Sequence, residues 1–208
     1  MNVLVIGATG QTGRHAVNQL LAQGHEVTAF ARNPSAFTER REHLRVAQGD
    51  ARDSESIDRA ISGQDAVLVA FGPRSLKKGD VQEVLMRNVI AAMTRAGVTR
   101  LVNLSAWGSG GAAVPPANLI ARYFFIPVVL RRVLADKRRG EAHLFDSTLH
   151  YVNVCPAFLK NGPGRGGVKA SIDGRGLKQC MHREDLAAFM VAQLTDDTWL
   201  RKCVAIGY

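Results

Sequence analysis

Hydrophobic residues fall into two rhythms that alternate along the chain. Val3-Leu4-Val5-Ile6 is an unbroken apolar run, as expected of a strand covered on both faces. Ala16, Val17, Leu20 and Leu21 then recur at helical spacing until Gly24. The same alternation predicts strands over 26–31, 44–48, 66–70, 100–105, 151–154 and 203–206. It predicts helices over 12–23, 54–61, 81–95, 128–147 and 184–194, with Gly63 and Gly97 as stops for the second and third. Strands separated by helices of this length form βαβ units with right-handed crossovers. The expected fold is therefore α/β: a Rossmann-like, doubly wound parallel sheet with helices on both faces. No linker or repeat divides 1–208, so a single domain is expected.

One stretch breaks the rhythm. From Gly108 the chain runs through small residues, then Val114-Pro115-Pro116, then Tyr123-Phe124-Phe125, and the pattern resumes after Pro127. With Trp107, those aromatics are candidates to roof a flat substrate, or simply to pack a core.

Composition narrows the function classes. The net charge of +9 raises nucleic-acid binding, and basic residues cluster at Arg131-Arg132 and Lys137-Arg138-Arg139. No helix-turn-helix, zinc-finger or aromatic-interleaved basic motif accompanies them, so nucleic acid is disfavoured as a partner. Three widely spaced cysteines, Cys155, Cys180 and Cys203, fit a reducing cytoplasm rather than a disulfide framework or zinc site. Cys155 reads as a small buried hydrophobe. A strand that begins at once leaves no room for a signal peptide, and the apolar stretch 119–130 is interrupted by Arg122, so no membrane span is expected. His143, His150 and His182 share no ligand spacing, so no metal site is expected. No feature assigns an oligomeric partner.

The loop after the first strand reads Gly7-Ala8-Thr9-Gly10-Gln11-Thr12-Gly13. Gly7 permits a sharp turn, Gly10 lets a pyrophosphate approach the backbone, and Gly13 seats the helix on the strand. The helix N-terminus then offers N–H groups to the phosphates. A dinucleotide is the expected ligand. An NAD site usually has Asp or Glu at the end of the second strand, but here the strand ends Phe30-Ala31-Arg32-Asn33. A guanidinium there suits a 2′-phosphate, which favours NADPH over NADH. Asp50, with Ala51 beside it, follows the third strand as a candidate acceptor for the adenine amino group, or as an ordinary turn aspartate.

Together the glycine loop, Arg32, Gly49-Asp50, Phe71-Gly72 and Leu104-Ser105-Ala106 resemble the atypical short-chain dehydrogenase/reductases with an NAD(P)H-binding domain, nearest to the flavin reductase/biliverdin reductase type. Gly63-Gln64-Asp65-Ala66-Val67, the run 88–93 and Asp173-Gly174-Arg175-Gly176 extend the likeness over nearly the whole chain. The resemblance implies an oxidoreductase that passes hydride from NADPH to a flavin, a quinone or a tetrapyrrole. It places Thr9, Gln11, Thr12, Phe71 and Gly72 on the cofactor, Ser105 beside the nicotinamide, and Pro156 and Phe158 at the nicotinamide edge.

Two departures stand out. Phe158 occupies the position where the biliverdin reductase type carries a histidine. Lys137 resembles the lysine of the Tyr-x-x-x-Lys pair, but Val133 stands in place of the tyrosine. Without a phenolic acid, ketone chemistry is disfavoured. A flavin or quinone needs only to be held against the nicotinamide. Ser105 and Lys137 are the candidate catalytic residues. A rival reading, supported by the incomplete acid/base set, is a non-catalytic NADP(H) sensor acting through a protein partner, as for some NmrA-like relatives.

Overall fold

The first strand, β1 (Asn2–Ile6), is buried from Val3 onward because each of its faces meets a different core. Val3 and Val5 pack with α1 (Gln11–Ala22) and α5 (Arg183–Ala192). Leu4 and Ile6 pack with α2 (Ser54–Ile61), α3 (Val81–Ala96) and α4 (Arg131–Asp146). The unbroken apolar run is thus two interleaved period-2 patterns, one per core.

The computed structural model describes residues 1–37, 41–72, 80–109, 131–156, 158–178 and 180–208, and the side chains of 131–133 are not among them. The remaining strands are β2 (Glu26–Ala31), β3 (Leu44–Gln48), β4 (Ala66–Val69), β5 (Arg100–Leu104), β6 (His150–Pro156), β7 (Phe158–Lys160), β8 (Lys169–Ser171), β9 (Cys180–His182) and β10 (Lys202–Gly207). The main sheet has the order β3-β2-β1-β4-β5-β6-β10-β8. It is parallel throughout, except that β8 runs antiparallel to β10 at the edge. β7 and β9 pair separately.

The doubly wound α/β expectation holds, with two corrections. β7, β8 and β9 were not predicted, because three residues are too few to display a period. Helix α4 begins at Arg131, and the expected start at 128–130 lies outside the described residues.

Strand order reverses between β1 and its two neighbours, β2 and β4. A doubly wound sheet has its ligand crevice at that place, beyond the carboxyl ends of the strands. Two residues of α4 brace it. Asp136 of α4 accepts hydrogen bonds from the backbone N–H groups of Gln82 (3.0 Å) and Glu83 (3.2 Å), capping α3 from a neighbouring helix. Gly140 lets the same two helices close, since a Cβ there would stand 3.0 Å from the Gln82 carbonyl oxygen. Among the described residues no helix is long and apolar enough to cross a membrane.

Candidate functional site

The glycine loop is shaped first by its own packing. Gly7 has φ +83°, and a Cβ on it would sit 2.7 Å from the Ala70 carbonyl oxygen. A Cβ on Gly13 would drive into the Gly7 carbonyl, so α1 reaches β1 only because residue 13 has none. Gly10 is looser: its N–H closes a turn onto Gly7 O at 2.9 Å, and a Cβ would stand 3.1 Å from that oxygen. Helix α1 begins at Gln11 with no side-chain cap and no acid in its first turn. Its leading N–H groups and positive dipole end therefore suit an anion.

Beside this loop lies a cavity of about 790 Å³, ample for part of a dinucleotide. Gly7, Thr9 and Gly10 line one wall, Arg32, Asp50 and Ala51 another, and Phe71 and Gly72 a third. Gln11 is exposed at the helix start, while Thr12 and Gly13 are buried behind the loop.

Three arginines border the cavity: Arg14, Arg32 and Arg52. Arg52 is committed, its guanidinium meeting both carboxylate oxygens of Asp80. Arg14 is committed too, donating to the carbonyls of Thr9 and Ala36 at 3.4 Å each and lying over the Phe37 ring. The Arg32 guanidinium is exposed and has no partner among the described residues. Asp50 spends one oxygen in an Asx turn, accepting from the Arg52 backbone N–H at 2.9 Å.

The other candidates lie one strand away and are enclosed. Ser105 follows the carboxyl end of β5 and is 5% exposed. Its hydroxyl donates to Glu141 Oε1 and lies 2.5 Å from Ser109 Oγ. Lys137, 8% exposed, donates from Nζ to the Leu104 carbonyl at 3.1 Å. Burial pulls its ammonium below the usual lysine range, against the opposing pull of Glu141. Pro156 is buried, its carbonyl accepting from Trp107 N–H at 3.3 Å. Phe158 is 45% exposed at the start of β7. None of these four lines the cavity.

Residues 136–141 each have a separate task. Asp136 caps α3, Lys137 bonds Leu104, Arg138 donates to the Gly108 carbonyl at 2.7 Å, and Arg139 pairs with Glu83. Gly140 permits the helix contact, and Glu141 takes Ser105. The basic run 137–139 is engaged within the fold, on Leu104, Gly108 and Glu83.

Sequence reasoning missed Glu141, Ser109 and Asn153. Asn153 Nδ2 donates to Glu141 Oε1 at 3.1 Å, and Asn103 Nδ2 donates to Asn153 Oδ1 at 2.7 Å across paired positions of β5 and β6. The missed signal was an asparagine in the middle of each of two apolar strands, where asparagine is rare. Trp107 packs with Cys155 and Ala205 in a small core cluster, and Cys155 is fully buried as expected. A hydrogen bond with Cys203, then burial, pushes the Cys155 thiol well up. Tyr123-Phe124-Phe125 and most of 108–127 lie outside the described residues.

Comparison with known proteins agrees with this geometry. A family model described as NAD(P)H-binding matches residues 7–197. A (4-alkanoyl-5-oxo-2,5-dihydrofuran-3-yl)methyl phosphate reductase of Streptomyces griseus is 32% identical over 93% of this chain and 63% of its own length. The chain spans 36–63% of the length of this and two other curated relatives it matches. Among solved structures, the anaerobillin reductase ChuY of Escherichia coli O157:H7 has a TM-score of 0.81 at 20% identity, covering 100% of this chain and 97% of its own. A wide-type short-chain dehydrogenase/reductase of Veillonella parvula in complex with NADP has a TM-score of 0.79 at 18% identity, covering 100% of this chain and 94% of its own. At those identities the two structures establish the shared fold. With the family match over most of its length, the chain belongs to the NAD(P)H-binding family, and its own sheet order and helices give it a Rossmann-like fold.

Proposed function

We propose that this protein is an NADPH-dependent reductase that hands hydride to a flat, conjugated acceptor: a flavin, a quinone or a tetrapyrrole-like molecule. The observation that carries the reading is Arg32, the one cavity arginine whose guanidinium has no partner among the described residues, standing where an NADH site has an acid. It takes the 2′-phosphate. The α1 N-terminus takes the pyrophosphate across Gly10, and the remaining oxygen of Asp50 takes the adenine amino group.

The residues fit the dinucleotide before it arrives, since Gly7 and Gly13 are already fixed by packing. Bound NADPH supplies the hydride. Ser105, just past the carboxyl end of β5, would lie on the nicotinamide side of the cofactor, and Lys137 holds that strand end through its bond to the Leu104 carbonyl. No tyrosine stands four residues before Lys137 to protonate an alkoxide. The acceptor is therefore one that takes hydride directly. The dihydrofuranone phosphate reductase and the anaerobillin reductase that the chain resembles are consistent with that class. Three free cysteines suit the reducing cytoplasm.

The enclosure of Ser105 favours a second reading, an NADP(H) sensor that binds without turnover. One experiment separates the two: titrate the purified protein with NADPH, then follow its consumption with FMN, riboflavin, a quinone and biliverdin. Tight binding with turnover of one acceptor supports the reductase. Tight binding without turnover supports the sensor.

A further inference from the structure

We infer that Glu141 is a positioning residue that fixes Ser105 as a hydrogen-bond acceptor toward the nicotinamide carboxamide, so that this serine receives an N–H and does not protonate a substrate. The inference rests on the cofactor reading above and extends it to a residue that reading did not include.

The argument is a count of protons. A serine hydroxyl has one proton and two lone pairs. Ser105 spends its proton on Glu141 Oε1. Ser109 Oγ is 2.8 Å from the same carboxylate oxygen, 2.9 Å from the Ala106 carbonyl and 2.5 Å from Ser105 Oγ. Whichever of these Ser109 chooses, Ser105 gains no second proton to give. The neighbouring Cys155 thiol gives its proton to the Asn153 carbonyl at 3.7 Å, so a lone pair of Ser105 stays open and its remaining capacity is to accept.

Three features hold Glu141 in the acceptor role. Its Oε1 meets three donors: Ser105, Ser109 and Asn153. The Asn153 amide cannot turn its oxygen toward the carboxylate without breaking its bond from Asn103 Nδ2, 2.7 Å away. Lys137 lies one turn earlier on the same face of α4 and is buried with it. At 2% exposure Glu141 is out of reach of bulk water, so the polarity it imposes on Ser105 is not averaged away by solvent.

The test compares affinity for NADPH with affinity for its reduced 3-acetylpyridine analogue, in which a methyl ketone replaces the carboxamide and no N–H is present. The wild-type chain should prefer NADPH by about ten-fold, the worth of one hydrogen bond to a polarised hydroxyl. Ser105→Ala and Glu141→Met should each bring that ratio close to one, with overall NADPH binding retained through the adenosine half. Should Glu141→Met fail to fold, Glu141→Gln serves, because a neutral amide is a weaker acceptor and should give an intermediate ratio. A wild-type chain that binds NADPH without preference overturns this inference alone, as does an unchanged ratio in a folded Glu141 variant. A chain that binds neither form overturns the cofactor reading and the inference together.

Discussion

The two halves of the candidate site are built in opposite ways. The half around the glycine loop is an open cavity of about 790 Å³ whose shape comes from a short loop folding on itself, with Arg32 exposed at its rim and unengaged among the described residues. The half around Ser105 is a buried polar cluster assembled from β5, β6, α4 and the turn after β5, with Ser105, Ser109, Glu141 and Asn153 bonded to one another. One half waits for charge to be supplied by a ligand. The other has already spent its charges internally. On the proposed function, binding strength would be concentrated in the first half and orientation in the second.

The sharpest way to break that contrast is to attack what both halves share. Gly13→Val would force a side chain into the Gly7 carbonyl and push α1 off β1. The expected cost is about 3 kcal/mol or more, read as a lost or strongly shifted urea midpoint together with lost NADPH binding. Gly72→Ala is the control, since a Cβ there meets nothing within 4 Å among the described residues. It should leave stability unchanged.

The next effect belongs to the enclosed half alone. Lys137→Met removes the donor to Leu104 O and the cation near Glu141, at an expected cost of about 2 kcal/mol in urea unfolding. Its pH signature has a definite sign. Burial lowers the lysine's folded-state pKa below its unfolded value of 10.5. Between the two values the unfolded chain holds more protons, so wild-type stability should rise with pH across that window. The variant should lose that rise. An unchanged slope in Lys137→Met would assign the pH dependence to other groups.

The same contrast explains what the sequence reveals. The α/β order and the cavity wall are written in local patterns. Apolar runs such as 3–6 mark strands, and Gly7, Gly10 and Gly13 mark the loop within seven residues. The Ser105 cluster has no such local form. Its members are separated by up to 48 residues, from 105 to 153, and become neighbours only through the β5–β6 register and the α4 crossing. Lys137 was readable as a motif relic, but its burial was not, because the run 137–139 has the composition of a solvated helix face. Asn103 and Asn153 were the available clue: a polar residue centred in a buried strand needs a partner, and each is the other's.

Smaller effects test the open half without touching the fold. Arg32→Glu should weaken NADPH binding by about 30- to 100-fold through loss of a charge-assisted pair and added repulsion. NADH binding should change by less than about three-fold, and the urea midpoint should not move, because Arg32 bonds nothing through its guanidinium among the described residues. Equal losses for both dinucleotides would remove the 2′-phosphate role.

Asp50→Asn should produce the smallest change and the most specific one. The asparagine side-chain oxygen can keep the bond from the Arg52 N–H, so the turn survives. What changes is the other end of the side chain, which becomes an amide donor facing the adenine amino group. Affinity for NADPH and NADH should fall together by about three- to ten-fold, because both carry the same adenine. An equal loss for the two in Asp50→Asn, set beside the unequal loss in Arg32→Glu, would divide the cavity into an adenine end and a phosphate end. No loss in Asp50→Asn would return Asp50 to the turn it already makes with Arg52, and leave adenine recognition to stacking alone.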